Sequence, residues 1–222
     1  MAHYCLFNDD LKFAFCVDPK CGSTSVIYWF GSIIRKHEPK KPFRVERYMR
    51  RALKIDSFDD YFKVWFVRDP LDRLVGFYNK FIVPNNDLWN HADFKKEISV
   101  ENYSFEEFIH TLHDVTNKGG EPQHHLRVQS RILNSSKVDL IINIDDLDQK
   151  SEAIMKRINT DVKPSHQNQR PTTRIKVDNA YRLKPKELLK LDPIDSDCFW
   201  NDELRSIANK IYSEDNKIIQ GL

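Results

Sequence analysis

No apolar stretch of this sequence can cross a bilayer: the longest mostly apolar run, residues 26–34, falls well short of the roughly 20 residues a spanning helix needs. The N-terminus, Met-Ala-His-Tyr-Cys, lacks the basic region and apolar stretch of a secretory leader, so no stable membrane insertion is predicted. Cysteine is sparse as well. Cys5, Cys16, Cys21 and Cys198 form no CxxC pair, which argues against a zinc site and against a small disulfide-built domain, and predicts free thiols in a reducing compartment. The expected location is cytoplasmic, or lumenal if an N-terminal anchor precedes the chain. Charge of one sign is also missing: 35 Lys and Arg against 33 Asp and Glu leave a formal net charge of +2, so no global field advertises nucleic acid or an anionic membrane. Any anion site has to be local.

What is present suits one sizeable core. With 222 residues, 40% of them apolar, and no internal repeat, low-complexity tract or clear linker, the chain is expected to form a single domain over 1–222; its oligomeric state is not legible. Residues 4–7 and 12–17 flank the turn-like triplet Asn8-Asp9-Asp10 and predict a hairpin or two short strands. Val26, Ile27, Phe30, Ile33 and Ile34 then recur at helical spacing, with Ser23 or Thr24 as N-cap. The basic stretch 37–51, with Pro39 and Pro42, predicts a loop. Residues 63–67 form a second apolar run that stops at Arg68-Asp69-Pro70, and Leu71, Leu74, Val75, Tyr78 and Phe81 give the next helical stripe. Ser104-Phe105-Glu106-Glu107 has capping-box spacing and Gly119-Gly120 breaks the helix it opens. Residues 138–144 read as a buried strand, Asp146 or Asp148 as the cap of the helix after it, and 201–212 as the final helix. Strands alternating with helices predict an α/β fold, a P-loop-like parallel sheet covered on both faces by helices.

Two strand-loop-helix junctions carry chemistry. In the first, Lys20-Cys21-Gly22-Ser23-Thr24-Ser25 precedes a helix N-terminus, where unpaired backbone N–H groups and the helix dipole attract phosphate or sulfate. Gly22 lets the backbone come close, Lys20 adds a point charge, and the three hydroxyls are further donors. Against the Walker A pattern, Cys16 stands at the first glycine and Ser23 where the lysine belongs, which weakens the alternative of a nucleotide phosphotransferase. In the second junction Arg68 lies at the carboxyl end of its strand, the edge where open α/β sheets bind ligands. Its planar fork suits a phosphate, and Arg73 and Lys80 on the following helix offer further cations, or pair with Asp69 and Asp72 on an exposed face.

Together the two stretches resemble the sulfotransferase superfamily that uses 3′-phosphoadenosine-5′-phosphosulfate (PAPS). The 5′-phosphosulfate loop of that family is similar to Pro19-Lys20-Cys21-Gly22-Ser23-Thr24-Ser25, and its 3′-phosphate motif to Arg68-Asp69-Pro70-Leu71-Asp72-Arg73-Leu74-Val75. Phe66-Val67-Arg68-Asp69-Pro70, followed by Arg73-Leu74-Val75 and Tyr78, looks closest to carbohydrate sulfotransferases of the chondroitin/dermatan and heparan 2-O types. Looser echoes are His125-Leu126-Arg127-Val128-Gln129, where the family often has His-Trp-x-Pro-Gln, and Ile211-Tyr212-Ser213-Glu214-Asp215, like its closing helix. The chain departs from the pattern at Gly76, where the family usually has a serine that holds the 3′-phosphate, which shifts that contact to backbone or to Lys80.

The resemblance implies transfer of a sulfuryl group to a carbohydrate hydroxyl without a metal. Lys20 would stabilise the leaving oxygen, the N–H groups of Cys21, Gly22, Ser23 and Thr24 would bind the 5′-phosphate, and Arg68 the 3′-phosphate. His125 leads as general base, with His124, Glu121 and His166 as substitutes. Arg170, Arg174 and the basic stretch 44–54 could meet an acidic glycan, and Trp65, Trp89 or Trp200 could stack on sugars, although core packing is the default for Trp65. A non-catalytic anion-binding module is the remaining alternative.

Overall fold

A computed structural model describes residues 4–37, 48–51, 60–84, 103–120, 122, 124–131, 137–165, 167 and 173–222. Glu121, His166, Arg170, Trp89 and most of the expected acceptor loops 38–54 and 85–102 lie outside the described residues. The chain forms two compact units: the first is Met1–Arg68, Gln129–Gln169 and Ile218–Leu222, the second Asp69–Val128 and Arg170–Lys217.

The first unit is built on a five-stranded sheet. Strands β1 (Tyr4–Asn8) and β2 (Phe13–Val17) form the hairpin that the sequence predicts, with Asn8 Oδ1 accepting the Leu11 N–H in the turn. Helix α1 (Ser23–His37) follows β2, then β3 (Met49–Arg51), β4 (Phe62–Val67), β5 (Leu140–Asn143) and helix α4 (Leu147–Arg157). The sheet order is β3-β1-β2-β4-β5; β2, β4 and β5 are mutually parallel, and β1 runs antiparallel to both of its neighbours. The basic stretch expected to be a loop thus ends in an edge strand, and the sheet is mixed at one side, because a tight hairpin can only join antiparallel strands.

Period-2 alternation explains the burial of both faces. Phe13, Phe15, Val64, Phe66 and Ile142 point to one side and pack with Val26, Trp29, Phe30, Ile33 and Ile34 of α1 and Ile154 of α4. Phe15 is the centre of an aromatic cluster, with ring centroids 5.0 Å from Trp29 and 5.3 Å from Phe66. Cys5, Phe7, Ala14, Cys16, Trp65 and Val67 form the opposite face with Tyr61 and Ile219. Trp65 is wholly buried there.

On that second face the reading of free thiols is corrected. Cys5 lies directly opposite Cys16 in the β1–β2 register, and their sulfurs are bonded. Opposed side chains of an antiparallel pair sit within bridging reach, so the hairpin register makes the pair and no CxxC spacing is needed. Cys21 and Cys198 remain thiols.

The second unit is helical around its own core. Helix α2 (Pro70–Phe77) has Asp69 as N-cap, accepting the Asp72 N–H, with Pro70 in the first turn, and it runs on into a π-turn over Tyr78–Ile82. Helix α3 (Phe105–Asn117) carries both bonds of the Ser104–Glu107 capping box and stops before Gly119, whose φ is +72°. Helices α5 (Pro185–Leu188), α6 (Asp202–Ile211) and α7 (Ser213–Gln220) follow. Phe77, Tyr78, Phe105, Phe108, Leu112, Phe199, Leu204 and Tyr212 form its core. Trp200 is buried in it, 4.9 Å from the Phe105 ring, and so is a core residue here and no sugar platform. In the first unit Asp146 occupies the N-cap position of α4 without a side-chain bond; Asn143 caps the preceding 3-10 turn instead.

Alkylation of the native protein followed by mass spectrometry is expected to label only Cys21 and Cys198 once the fold is opened. Reducing the hairpin disulfide, or replacing Cys5 and Cys16 by Ala, should lower unfolding stability by about 3 kcal/mol in urea titrations.

Candidate active site

Strand β2 ends at Val17, beside Phe66 of parallel β4, so the segments that leave the two strands emerge at the same sheet edge. The Cys21 N–H donates to the Asp18 carbonyl at 3.1 Å, closing a four-residue turn around Pro19 and Lys20. Lys20 has φ +70°, in the position where such a turn after proline usually takes glycine or asparagine. A lysine held there at a steric cost is the kind of backbone outlier that collects at functional sites.

Gly22 follows with φ +69° and is backed onto Ile144: a Cβ would stand 2.4 Å from the isoleucine Cγ1. Only glycine fits both the conformation and the space. Helix α1 begins at once, with Val26 N–H donating to the Gly22 carbonyl, so Gly22 is the N-cap residue where Ser23 or Thr24 had been expected, and these two lie in the first turn. Ser25 is buried; its Oγ accepts the Gln167 N–H at 2.9 Å and donates to the Gln167 carbonyl at 3.3 Å, which docks the helix start on that segment. Helix α1 has no acidic residue in its first turn, whereas every other described α-helix has at least one. Its positive end is thus not neutralised from within the helix.

Arg68, half-buried, is the first residue past the last β4–β5 pair, Val67 with Asn143. Its N–H donates to Gln129 Oε1 at 2.9 Å and its carbonyl accepts from Gln129 Nε2 at 2.8 Å. The same Oε1 accepts from the Cys21 thiol at 2.9 Å. Gln129 is legible in the sequence only as the end of a loose motif.

In the second unit Arg73 does not stand on an exposed helix face. It is buried, and its Nη2 donates to the carbonyls of His125 at 3.0 Å and Arg127 at 2.7 Å. The buried Tyr212 hydroxyl donates to the carbonyl between them, that of Leu126, at 2.5 Å. Burial raises the Tyr212 hydroxyl far above the ordinary tyrosine range, so it stays a donor. Three successive carbonyls are thereby fixed, and with them the chain that bears the histidines. The His125 ring lies 4.0 Å from that of His124 and 5.0 Å from Phe81. Burial, reinforced by the charge of Arg127, lowers the His124 pKa below the ordinary histidine value, which keeps a neutral imidazole at physiological pH. Gly76 is half-buried on α2 and Lys80 is exposed on the π-turn. Among the described residues no cluster of His, Cys, Asp and Glu could hold a metal ion.

The model of the Sulfotransferase family matches residues 3–218. The chain belongs to the sulfotransferase family. Its α/β fold, with a mostly parallel sheet flanked by helices, agrees with that membership, and sulfuryl transfer is the general activity that follows. Searches of curated proteins and of solved structures returned no significant match. No described helix of this sulfotransferase is long and apolar enough to cross a membrane.

Gly22→Ala is expected to cost about 1–3 kcal/mol of stability by overpacking and to abolish nucleotide binding. Adding Ile144→Ala should return part of the binding by making room, while the strain of the positive φ stays; calorimetry on the single and double variants reads the two effects apart.

Proposed function

We propose that this family member takes PAPS as donor and passes its sulfuryl group to a carbohydrate hydroxyl, releasing adenosine 3′,5′-bisphosphate. The observation that carries this reading is the pairing, at neighbouring strand ends, of an α1 N-terminus without acidic residues and Arg68. A donor with phosphates at both ends of a ribose needs two separate anion sites, and ordinary adenine nucleotides need one.

In this scheme the N–H groups of Gly22, Ser23 and Thr24 bind the 5′-phosphosulfate, with Ser23 and Thr24 as hydroxyl donors; the Cys21 N–H and the Ser25 hydroxyl, which the sequence also offers, are held by the carbonyls of Asp18 and Gln167. Arg68 takes the 3′-phosphate in a bidentate contact, supported by the Gly76 backbone or Lys80 in place of the family serine. The acceptor oxygen attacks sulfur in line; a new S–O bond forms as the bond from sulfur to the 5′-phosphate oxygen breaks, and that oxygen leaves with the electron pair, stabilised by Lys20. His125 accepts the acceptor proton, with His124 the alternative. The likeness of residues 66–78 to carbohydrate sulfotransferases supports a glycan acceptor. The Cys5–Cys16 bridge favours an oxidising compartment, which supports the lumenal over the cytoplasmic location. The family match runs through both compact units, which supports one sulfotransferase domain over 1–222.

The test is transfer of labelled sulfate from PAPS to a panel of oligosaccharides and simple alcohols. Transfer to a glycan without added metal is expected, with Lys20→Ala inactive and His125→Ala slowed by about 10²–10⁴-fold at unchanged donor affinity. Magnesium-dependent ATP turnover instead would sink the proposal. The base must be neutral to act, so the rate falls as pH drops. If His124 takes the proton, the midpoint of that fall lies below pH 6.5 and His124→Asn removes it; turnover of His124→Asn that follows the wild-type profile excludes His124 and leaves His125 ahead of Glu121 and His166.

A further inference from the structure

The β4–β5 ladder ends at Val67 and Asn143, so Arg68 leaves the sheet with its N–H and carbonyl turned from any strand partner on β5. The side chain of Gln129 meets both groups at once, at 2.9 and 2.8 Å, as the backbone of another strand residue would. The amide adds one rung to the sheet at the residue that bears the guanidinium. Its oxygen has a second lone pair, which the Cys21 thiol fills at 2.9 Å. Gln129 is 1% exposed and starts a 3-10 turn, Gln129–Arg131, so the amide has no water to fall back on. Its orientation is determined: a flipped amide would set NH₂ against the Arg68 N–H and the thiol, both donors. Cys21 lies between Lys20, in its strained turn, and Gly22, which rests on Ile144. One buried amide therefore joins the middle of the anion-binding loop to the backbone of Arg68.

We infer that Gln129 is a positioning residue that sets the spacing between the loop and Arg68, and so determines how strongly the protein prefers nucleotides bearing a 3′-phosphate. The inference rests on the donor reading above. Gln129 acts through Arg68 and Cys21 and needs no contact with the nucleotide. A group that only filled the core could be replaced by an apolar side chain of equal length. A group that fixes two anion sites against each other cannot, because the released Arg68 backbone no longer aims the fork.

The experiment is calorimetric titration of the full chain with adenosine 3′,5′-bisphosphate and with 5′-AMP, for wild type, Gln129→Met and Gln129→Glu. Wild type should prefer the bisphosphate. Gln129→Met, near-isosteric and without hydrogen bonds, should lose about tenfold in bisphosphate affinity, the scale of a lost bond at a charged contact, with 5′-AMP changed far less. Gln129→Glu adds a pH readout that filling the core would not give. As a carboxylate it cannot donate to the Arg68 carbonyl; burial raises its pKa, and once protonated it can donate and accept as the amide does. Its bisphosphate affinity relative to wild type should thus rise as pH falls from about 8 towards about 5.5. If Gln129→Met does not fold, this pH series alone decides. Wild type that discriminates for the 3′-phosphate while both variants match it at every pH overturns the role of Gln129 and leaves the donor reading standing. Wild type that ignores the 3′-phosphate overturns the donor reading, and this inference with it.

Discussion

The contact between Gly22 and Ile144 limits everything around it. A strand-to-helix loop can offer its amides to an anion only if the backbone is held open and close to the ligand, and here the loop is pressed against the residue that follows β5 with no room for one further carbon. The positive φ of Lys20 and Gly22, the start of α1 at Ser23 and the docking of Ser25 on Gln167 surround that seating. Strain of a few kcal/mol or less is tolerated because the two faces of the sheet beneath are closely packed.

Cations in this chain divide by environment. Lys20 and Arg68 stay half-buried at the sheet edge in the first unit, in places suited to an external anion. Arg73 belongs to the same sequence motif yet is spent inside the second unit, where it and Tyr212 hold the carbonyls of residues 125–127. The two arginines of one motif thus differ in environment, Arg73 being a structural group and Arg68 the one the proposed donor contact uses. The His124 and His125 rings, tilted against each other at 4.0 Å, are borne on that clamped segment.

Strong local periodicity made most of the fold readable. The hairpin, both strand-loop-helix junctions and the Ser104 capping box are short-range patterns, and each folds as its residues predict apart from the cap of α1, which is Gly22. What escaped is what depends on register or long-range packing. The disulfide needs the pairing of β1 with β2, which spacing alone does not reveal; the burial of Arg73 needs residues 125–127, far away in sequence; and Gln129 has no signature apart from its partners. The burial of Trp200 belongs with these, since an aromatic ring reads alike in the sequence whether it meets Phe105 or a sugar.

The most direct test of the account is a crystal structure with adenosine 3′,5′-bisphosphate bound. The 5′-phosphate is predicted to accept hydrogen bonds from the N–H groups of residues 22–24, with Lys20 beside it and the 3′-phosphate on the Arg68 guanidinium. A nucleotide bound elsewhere, or one whose 3′-phosphate lies away from Arg68, would contradict it.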